Sequence, residues 1–418
     1  MGMPVLGKTL EPVLKKITSL NIVPIHHSPD IALFLRWMRD GGAERVMANL
    51  ANGFAQQGLK VDLVLIQAEG NFLKSLHPSI RVIDLGVESV AIAGFLKFPT
   101  SLQSTGSLLK LVKYLKRYRP PVLLAATHYI NEVAILAKIL ARVPTRVIVS
   151  EHTHLSKEAQ RAEQVSAKLA PWAARLVYPW ADGIVAVSEG VATDLSRLTG
   201  IRPNKIKVIY NPVIFPHLYQ QAQLEVPHPW FLQKDIPIVL GAGRFVRQKD
   251  FPTLIRAFAQ VLQRCPARLV LLGDGRDRIA LENLIDELGI AESVWMPGFM
   301  ENPYPYLKRA DVFVLSSAWE GLPTVLIEAI ALGTPVVSTN CPSGPAEILN
   351  NGKYGTLVPV QDPKAIAQGI LDILNGETKQ APQKWIHEFT LESATQRYIN
   401  RLCETQNLSA SRIRARAS

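Results

Sequence analysis

ADVFVLSSAWEGLPTVLIEAIALGTPVVSTNCPSGPAEIL, residues 310 to 349, holds a strand, a polar turn, a helix and a second strand in close succession. Val312 to Leu315 follows Asp311 as a short apolar run, the pattern of a buried strand. Thr324 to Leu332 reads as a helix that stops at Gly333, and Pro335 to Ser338 is the next strand. In such a β-turn-α-β unit the free N–H groups and partial positive charge of the helix N-terminus form a site for phosphate or diphosphate at the strand ends. Pro323 has no N–H, so Thr324, Val325 and Leu326 are the expected donors. Glu320 stands in the turn ahead of them, and Glu328 follows about one turn into the helix. Two carboxylates beside an anion site repel the anion unless each has a hydroxyl to hold. A ribose and a hexose flanking a diphosphate would supply those hydroxyls.

Glu-x7-Glu in the frame SSAWEGLPTVLIEAIALGTPVVST resembles the donor-site signature of the retaining, two-domain GT-B glycosyltransferases called "glycosyl transferases group 1". The bare spacing is uninformative, whereas the full frame is specific. The resemblance spans residues 31 to 405 and is strongest from 241 to 349. It implies an α/β chain of two Rossmann-like, doubly wound domains facing an interdomain cleft, with a nucleotide sugar as donor substrate and neither cofactor nor metal.

A length of 418 residues, 48% of them hydrophobic, suits two α/β domains of about 200 residues each. No apolar run reaches about 18 uncharged residues, so no transmembrane helix is expected. The first 28 residues lack a continuous apolar core of signal-peptide type. Cys265, Cys341 and Cys403 stand far apart without a C-x-x-C pair, which favours a reducing compartment without structural zinc. A cytoplasmic protein is the expectation.

Residues 1–210 hold 26 Lys and Arg against 15 Asp and Glu, while 211–418 hold 20 of each, so the whole net charge of +11 lies in the first half. The densest patch is SLLKLVKYLKRYRP, residues 107–120. Leu108, Leu111, Val112, Leu115 and Tyr118 recur there at helical spacing among Lys110, Lys113, Lys116, Arg117 and Arg119. A basic amphipathic helix fits an anionic membrane, here the inner face. It equally fits a core-facing stripe under a solvated basic face, and the charge asymmetry favours the membrane. The apolar stretch 86–106 reads either as contact for a lipid acceptor or membrane, or as packing. No helix-turn-helix, RNP or zinc-finger pattern marks a nucleic-acid partner.

Residues 1–29 contain four prolines and no period, and read as an extension. The first domain, 30–213, begins with strand Ile31 to Arg36 and the turn DGGAER (40–45), which opens a helix ending at Gly58. Gly41 and Gly42 permit close backbone approach to a ligand. Strands Val122–Thr127 and Arg146–Ser150 lead into His128 and into His152 and His154, where open α/β sheets bind ligands. His152 and His154 could pair on a metal, but no third ligand follows at useful spacing.

Residues 214–236, with Pro216, Pro227 and Pro229, read as the linker. The second domain, 237–385, opens with a strand and the loop GAGRFVRQKDF (241–251). Glycines such as Gly243 let this loop wrap closely while Arg244 and Lys249 place two cations over an anion held at Thr324. Residues 386–405 form a last helix and 406–418 a basic tail.

Carried over by residue, the resemblance implies that Arg244 and Lys249 clamp the diphosphate, with backbone at Gly42, Thr324 and Val325 completing the cradle. Glu328 would bond the ribose, Met300 would lie by the base, Glu320 would hold hydroxyls of the transferred sugar, and His152 would face its reactive side. The last helix would cross back to the first domain. The implied activity is metal-independent, retaining transfer of a hexose or N-acetylhexosamine to a lipid-linked or polysaccharide acceptor in cell-envelope or polysaccharide biosynthesis. Pro323, where mannosyltransferases of the family often carry glycine, leans to a UDP-sugar. A GT-B epimerase of sugar nucleotides is one alternative. A non-catalytic membrane- or sugar-binding protein is another, although it would be expected to lose Glu320, Arg244 or Lys249. A dehydrogenase is disfavoured because GAGRFV lacks the third glycine of G-x-G-x-x-G.

Overall fold

A computed structural model of the chain describes residues 28–39, 41–87, 101–162, 165–233 and 235–403. Residues 1–27 of the expected extension, Asp40, residues 88–100 of the apolar stretch and the tail 406–418 lie outside the described residues. Short apolar runs alternating with helices give parallel strands, because each return to the same end of a sheet needs a crossover. The first sheet comprises β1 (Ile31–Leu35), β2 (Val61–Leu65), β3 (Arg81–Asp84), β4 (Val122–Ala126), β5 (Arg146–Glu151), β6 (Gly183–Ala186) and β7 (Ile206–Val208). Its order is β3-β2-β1-β4-β5-β6-β7. The second holds β8 (Ile238–Ala242), β9 (Arg268–Leu272), β10 (Val294–Gly298), β11 (Val312–Leu315), β12 (Val336–Thr339) and β13 (Thr356–Val358), in the order β10-β9-β8-β11-β12-β13. All pairings are parallel, and β1 and β2 match Ile31 to Val61 through Leu35 to Leu65 with every residue buried. Strand order reverses between β1 and β4 and between β8 and β11. These are the crevices where doubly wound sheets take ligands.

The stretch 214–236 is not a bare linker, since Pro216 and Pro229 open the short helices Pro216–Gln221 and Pro229–Leu232. Proline suits a first helical position, where its N–H is not needed. His228 stacks on Trp295 at 3.7 Å between ring centres, and Phe231 packs on Tyr306, so this segment joins the second domain.

The basic helix begins at Ser101, earlier than its charge pattern indicated. Leu111 and Leu115 are fully buried, and the Tyr114 hydroxyl donates to the buried Asp62 carboxylate of β2 at 2.6 Å. Arg81 answers the same carboxylate at 2.5 Å. Of the two readings of the apolar stripe, the core-facing one is therefore right, and the buried Asp62 is satisfied by Tyr114 and Arg81 together. Lys113, Lys116 and Arg117 remain on the exposed side.

Helix Leu391–Cys403 packs on helix Gly42–Gln56, and Ala394, Tyr398, Ile399 and Leu402 enter the core of the first domain. The two chain passages between domains lie side by side. Val213 and Ile214 donate their N–H groups to the Phe389 carbonyl at 2.9 and 3.0 Å, and Leu391 donates back to Ile214 at 2.9 Å.

Candidate active site

A cleft of about 740 Å³ separates the two sheets. Gly42, His152, Gly243, Arg244, Lys249, Met300, Glu320, Thr324, Val325 and Glu328 all line it. His154 is at its wall too, whereas His128 is not among its lining residues.

The second-domain wall is stitched from two loops. The backbone of Ala318 donates to Gln248 at 2.8 Å, and Ser316 Oγ donates to the Lys249 carbonyl at 2.8 Å. This sets Lys249 Nζ 2.6 Å from Glu320 Oε1, which also accepts from Ser317 Oγ at 2.6 Å. The sequence reading assigned Lys249 to the diphosphate and Glu320 to the sugar as separate tasks. They stand as one ion pair, both mostly enclosed. Gly273 makes the neighbouring turn possible: its φ is +136°, and a Cβ there would lie 1.9 Å from the Gly243 carbonyl oxygen.

Helix Thr324–Ala331 follows Pro323 and has no side-chain cap. Its first N–H groups thus face the cleft without a side-chain acceptor, the arrangement that favours an anion. Glu328, on the same helix, is buried, and its Oε1 lies 3.1 Å from Arg45 Nη1 of the first domain. Arg45 also meets the Tyr304 hydroxyl. Burial raises the Glu328 pKa and the Arg45 charge opposes that rise. Arg45 belongs to the quoted GGAER turn and was passed over for its glycines. At Gly42 itself an added Cβ would meet nothing within 4 Å among the described residues, so none of their atoms requires the glycine.

On the first-domain wall the buried Glu151 aims the loop after β5. Its Oε1 accepts from the N–H groups of His152 and Thr153 at 3.1 and 3.3 Å, and its Oε2 from the Tyr178 hydroxyl at 2.8 Å. His152 Nε2 lies 3.1 Å from Ser150 Oγ, which in turn meets the Tyr398 hydroxyl of the returning helix at 3.1 Å. Burial pushes His152 down to about 4, so its imidazole is neutral at physiological pH. His154 is taken by Asp194 at 3.1 Å. Burial opposes ionisation of Asp194, yet hydrogen bonds from His154 and Ser156 hold its carboxyl well below the usual range. Among the described residues no three His, Cys, Asp or Glu side chains group as metal ligands.

The walls touch around the EGLPT turn. Ser188 Oγ donates to the Gly321 carbonyl at 2.9 Å, and Glu347 accepts from the N–H groups of Glu189 and Gly190 at 2.9 and 2.8 Å. Arg161 stacks over Trp319 at 4.4 Å. No local sequence signal marks these contacts, because each joins residues more than 100 positions apart.

The family described as "Glycosyl transferases group 1" matches residues 225–388, and "Glycosyltransferase Family 4" matches residues 40–214. The chain belongs to the group-1 GT-B glycosyltransferases. This glycosyltransferase is 28% identical over 356 residues, 83% of its length and 90% of the relative's, to the N-acetylgalactosamine-N,N'-diacetylbacillosaminyl-diphospho-undecaprenol 4-alpha-N-acetylgalactosaminyltransferase of Campylobacter jejuni. It is also 28% identical to the lipopolysaccharide core biosynthesis glycosyltransferase LpsE of Rhizobium meliloti, over 87% of this chain and 96% of that one. In fold it is similar to HepE of Anabaena, solved with UDP-glucose, with a TM-score of 0.71 and 22% identity over 90% of this chain and 99% of that one.

Proposed function

We propose that the enzyme transfers a hexose or N-acetylhexosamine, with retention, from a UDP-sugar to a lipid-linked or saccharide acceptor of a cell-surface glycan. The observation that carries this is the Lys249–Glu320 pair at 2.6 Å beside the uncapped helix Thr324–Ala331. In this reading the cation would meet the donor diphosphate and the carboxylate would hold sugar hydroxyls. The full-length relatives, one acting on a diphospho-undecaprenol-linked sugar and one in lipopolysaccharide core biosynthesis, support the acceptor class. The UDP-glucose complex of HepE supports the nucleotide.

In this scheme Arg244, Lys249 and the N–H groups of Thr324 and Val325 take up charge as the sugar–phosphate bond breaks, and Glu328 holds the ribose. Met300 borders the base, and the backbone at Gly42 and Gly243 completes the cradle. Neutral His152 faces the sugar as a hydrogen-bonding group and adds no charge. Cys341, near the Glu320–Lys249 pair, is no nucleophile: burial, with Glu320 adding, pushes its thiol up to about 12. The acceptor proton then passes to the departing phosphate on the same face, and the protein contributes orientation.

UDP is expected to raise the melting temperature by about 5 °C at about a hundred times its Kd, more than GDP or ADP. A clear preference for GDP would overturn the UDP assignment. Transfer is also expected to persist in EDTA, because Arg244, Lys249 and the helix N-terminus take the role a divalent ion has elsewhere. Turnover that EDTA abolishes and magnesium or manganese restores would contradict that.

No helix among the described residues is long and apolar enough to cross a membrane. Peripheral attachment at the cytoplasmic face is proposed, with the exposed Lys113, Lys116 and Arg117 attracting anionic lipid.

A further inference from the structure

Helix Val165–Val177 and the turn Tyr178–Trp180 turn Ala170, Ala174 and Tyr178 into the core of the first domain. The outer face of a surface helix is ordinarily polar. Here Leu169, Trp172, Leu176 and Trp180 are 55%, 64%, 52% and 66% exposed. The charged residues among them are Lys168 and Arg175, and from Val165 to Ala181 the chain contains no Asp or Glu. Helix His128–Ala141 runs alongside and exposes Leu136, Ile139 and Leu140, which widens the apolar ground. A patch of this size and composition marks a surface that is covered in use.

Resting on the lipid-linked acceptor proposed above, we infer that this face seats the enzyme on an anionic phospholipid bilayer. Trp172 and Trp180 lie in the headgroup region, where an indole buries its rings and keeps its N–H wet, and Lys168 and Arg175 meet lipid phosphates. A second copy of the chain is the competing occupant. A two-fold contact would gather Lys168 and Arg175 from both copies with no carboxylate in the segment to answer them, whereas an anionic surface matches them. The basic helix Ser101–Tyr118 plays a different part, because Leu111 and Leu115 are committed to the core. Its lysines attract without inserting. The seat starts one short helix, Leu155–Arg161, after His154 at the cleft wall, so an acceptor carried by lipid is presented near the cleft.

The test is partition of the full chain onto vesicles of phosphatidylethanolamine and phosphatidylglycerol at low and high salt. Wild type is expected to bind with a salt-resistant fraction, and brominated lipid is expected to quench its tryptophan fluorescence. Trp172→Gln with Trp180→Gln is expected to lower partition by about tenfold and remove the quenching. Lys113→Gln with Lys116→Gln and Arg117→Gln should reduce the salt-sensitive part and leave the salt-resistant fraction unchanged. Equal partition of the tryptophan variant and wild type overturns the seat. So does a tryptophan variant that becomes monomeric from a dimer with unchanged partition, which assigns the face to a second copy. The UDP response of the same samples is read separately. Lost vesicle binding with an intact UDP response sinks the seat alone, and vesicle binding without a UDP response sinks the donor assignment alone.

Discussion

Lys249→Ala is expected to lower kcat/KM by about 10² to 10³ and to weaken UDP binding measured by titration calorimetry. The ammonium is the cation that a leaving diphosphate would meet, and it lies 2.6 Å from a Glu320 carboxylate that is almost fully enclosed. Its removal also strands that carboxylate, so global stability should fall by about 3 kcal/mol. Glu320→Gln separates the two effects. It keeps one amide oxygen to accept from Ser317, gives up the second acceptor that faces Gln248, and frees Lys249 for the diphosphate. UDP affinity should hold while turnover drops by about tenfold or more. Glu328→Ala should weaken UDP binding by about tenfold, since it removes the proposed ribose partner. Wild-type turnover in Glu320→Gln, or in Lys249→Ala, would refute the site assignment.

Gly321→Ala is expected to leave UDP binding nearly intact and to lower transfer by about 10². A Cβ at position 321 would lie 2.0 Å from the His152 carbonyl oxygen and 2.9 Å from its carbon, and backbone cannot swing aside as a side chain can. The nucleotide contacts proposed here lie mainly in the second domain, so they survive when the first domain is pushed away. His152 and the first-domain acceptor surface would then be misplaced by an ångström or more. Parallel measurement of UDP Kd, kcat and small-angle scattering checks this. Unchanged kcat, or a UDP Kd that rises as steeply as kcat falls, would show that closure around Gly321 is not what transfer requires.

The chain by itself determined its two parallel sheets and the strand and helix ends that meet at the cleft, while the resemblance supplied residues such as Met300. Strands buried on both faces must be apolar throughout, helix ends need glycine or a cap, and a β-turn-α unit leaves N–H groups at a known end. Those rules act within a few residues, so Val312–Leu315, Thr324–Ala331 and the glycine turns could be read directly. Only the tertiary structure decided which charges meet. Lys249 with Glu320, Arg45 with Glu328 and Tyr398 with Ser150 are separated by 71, 283 and 248 positions, and neither periodicity nor composition carries information over such spans. It also decided which side of an amphipathic helix faces out. The stripe of Ser101–Tyr118 went to the core because Asp62 and the sheet were there to receive Tyr114 and Leu111. Val165–Val177 has apolar residues on both sides, and the sheet could cover only one.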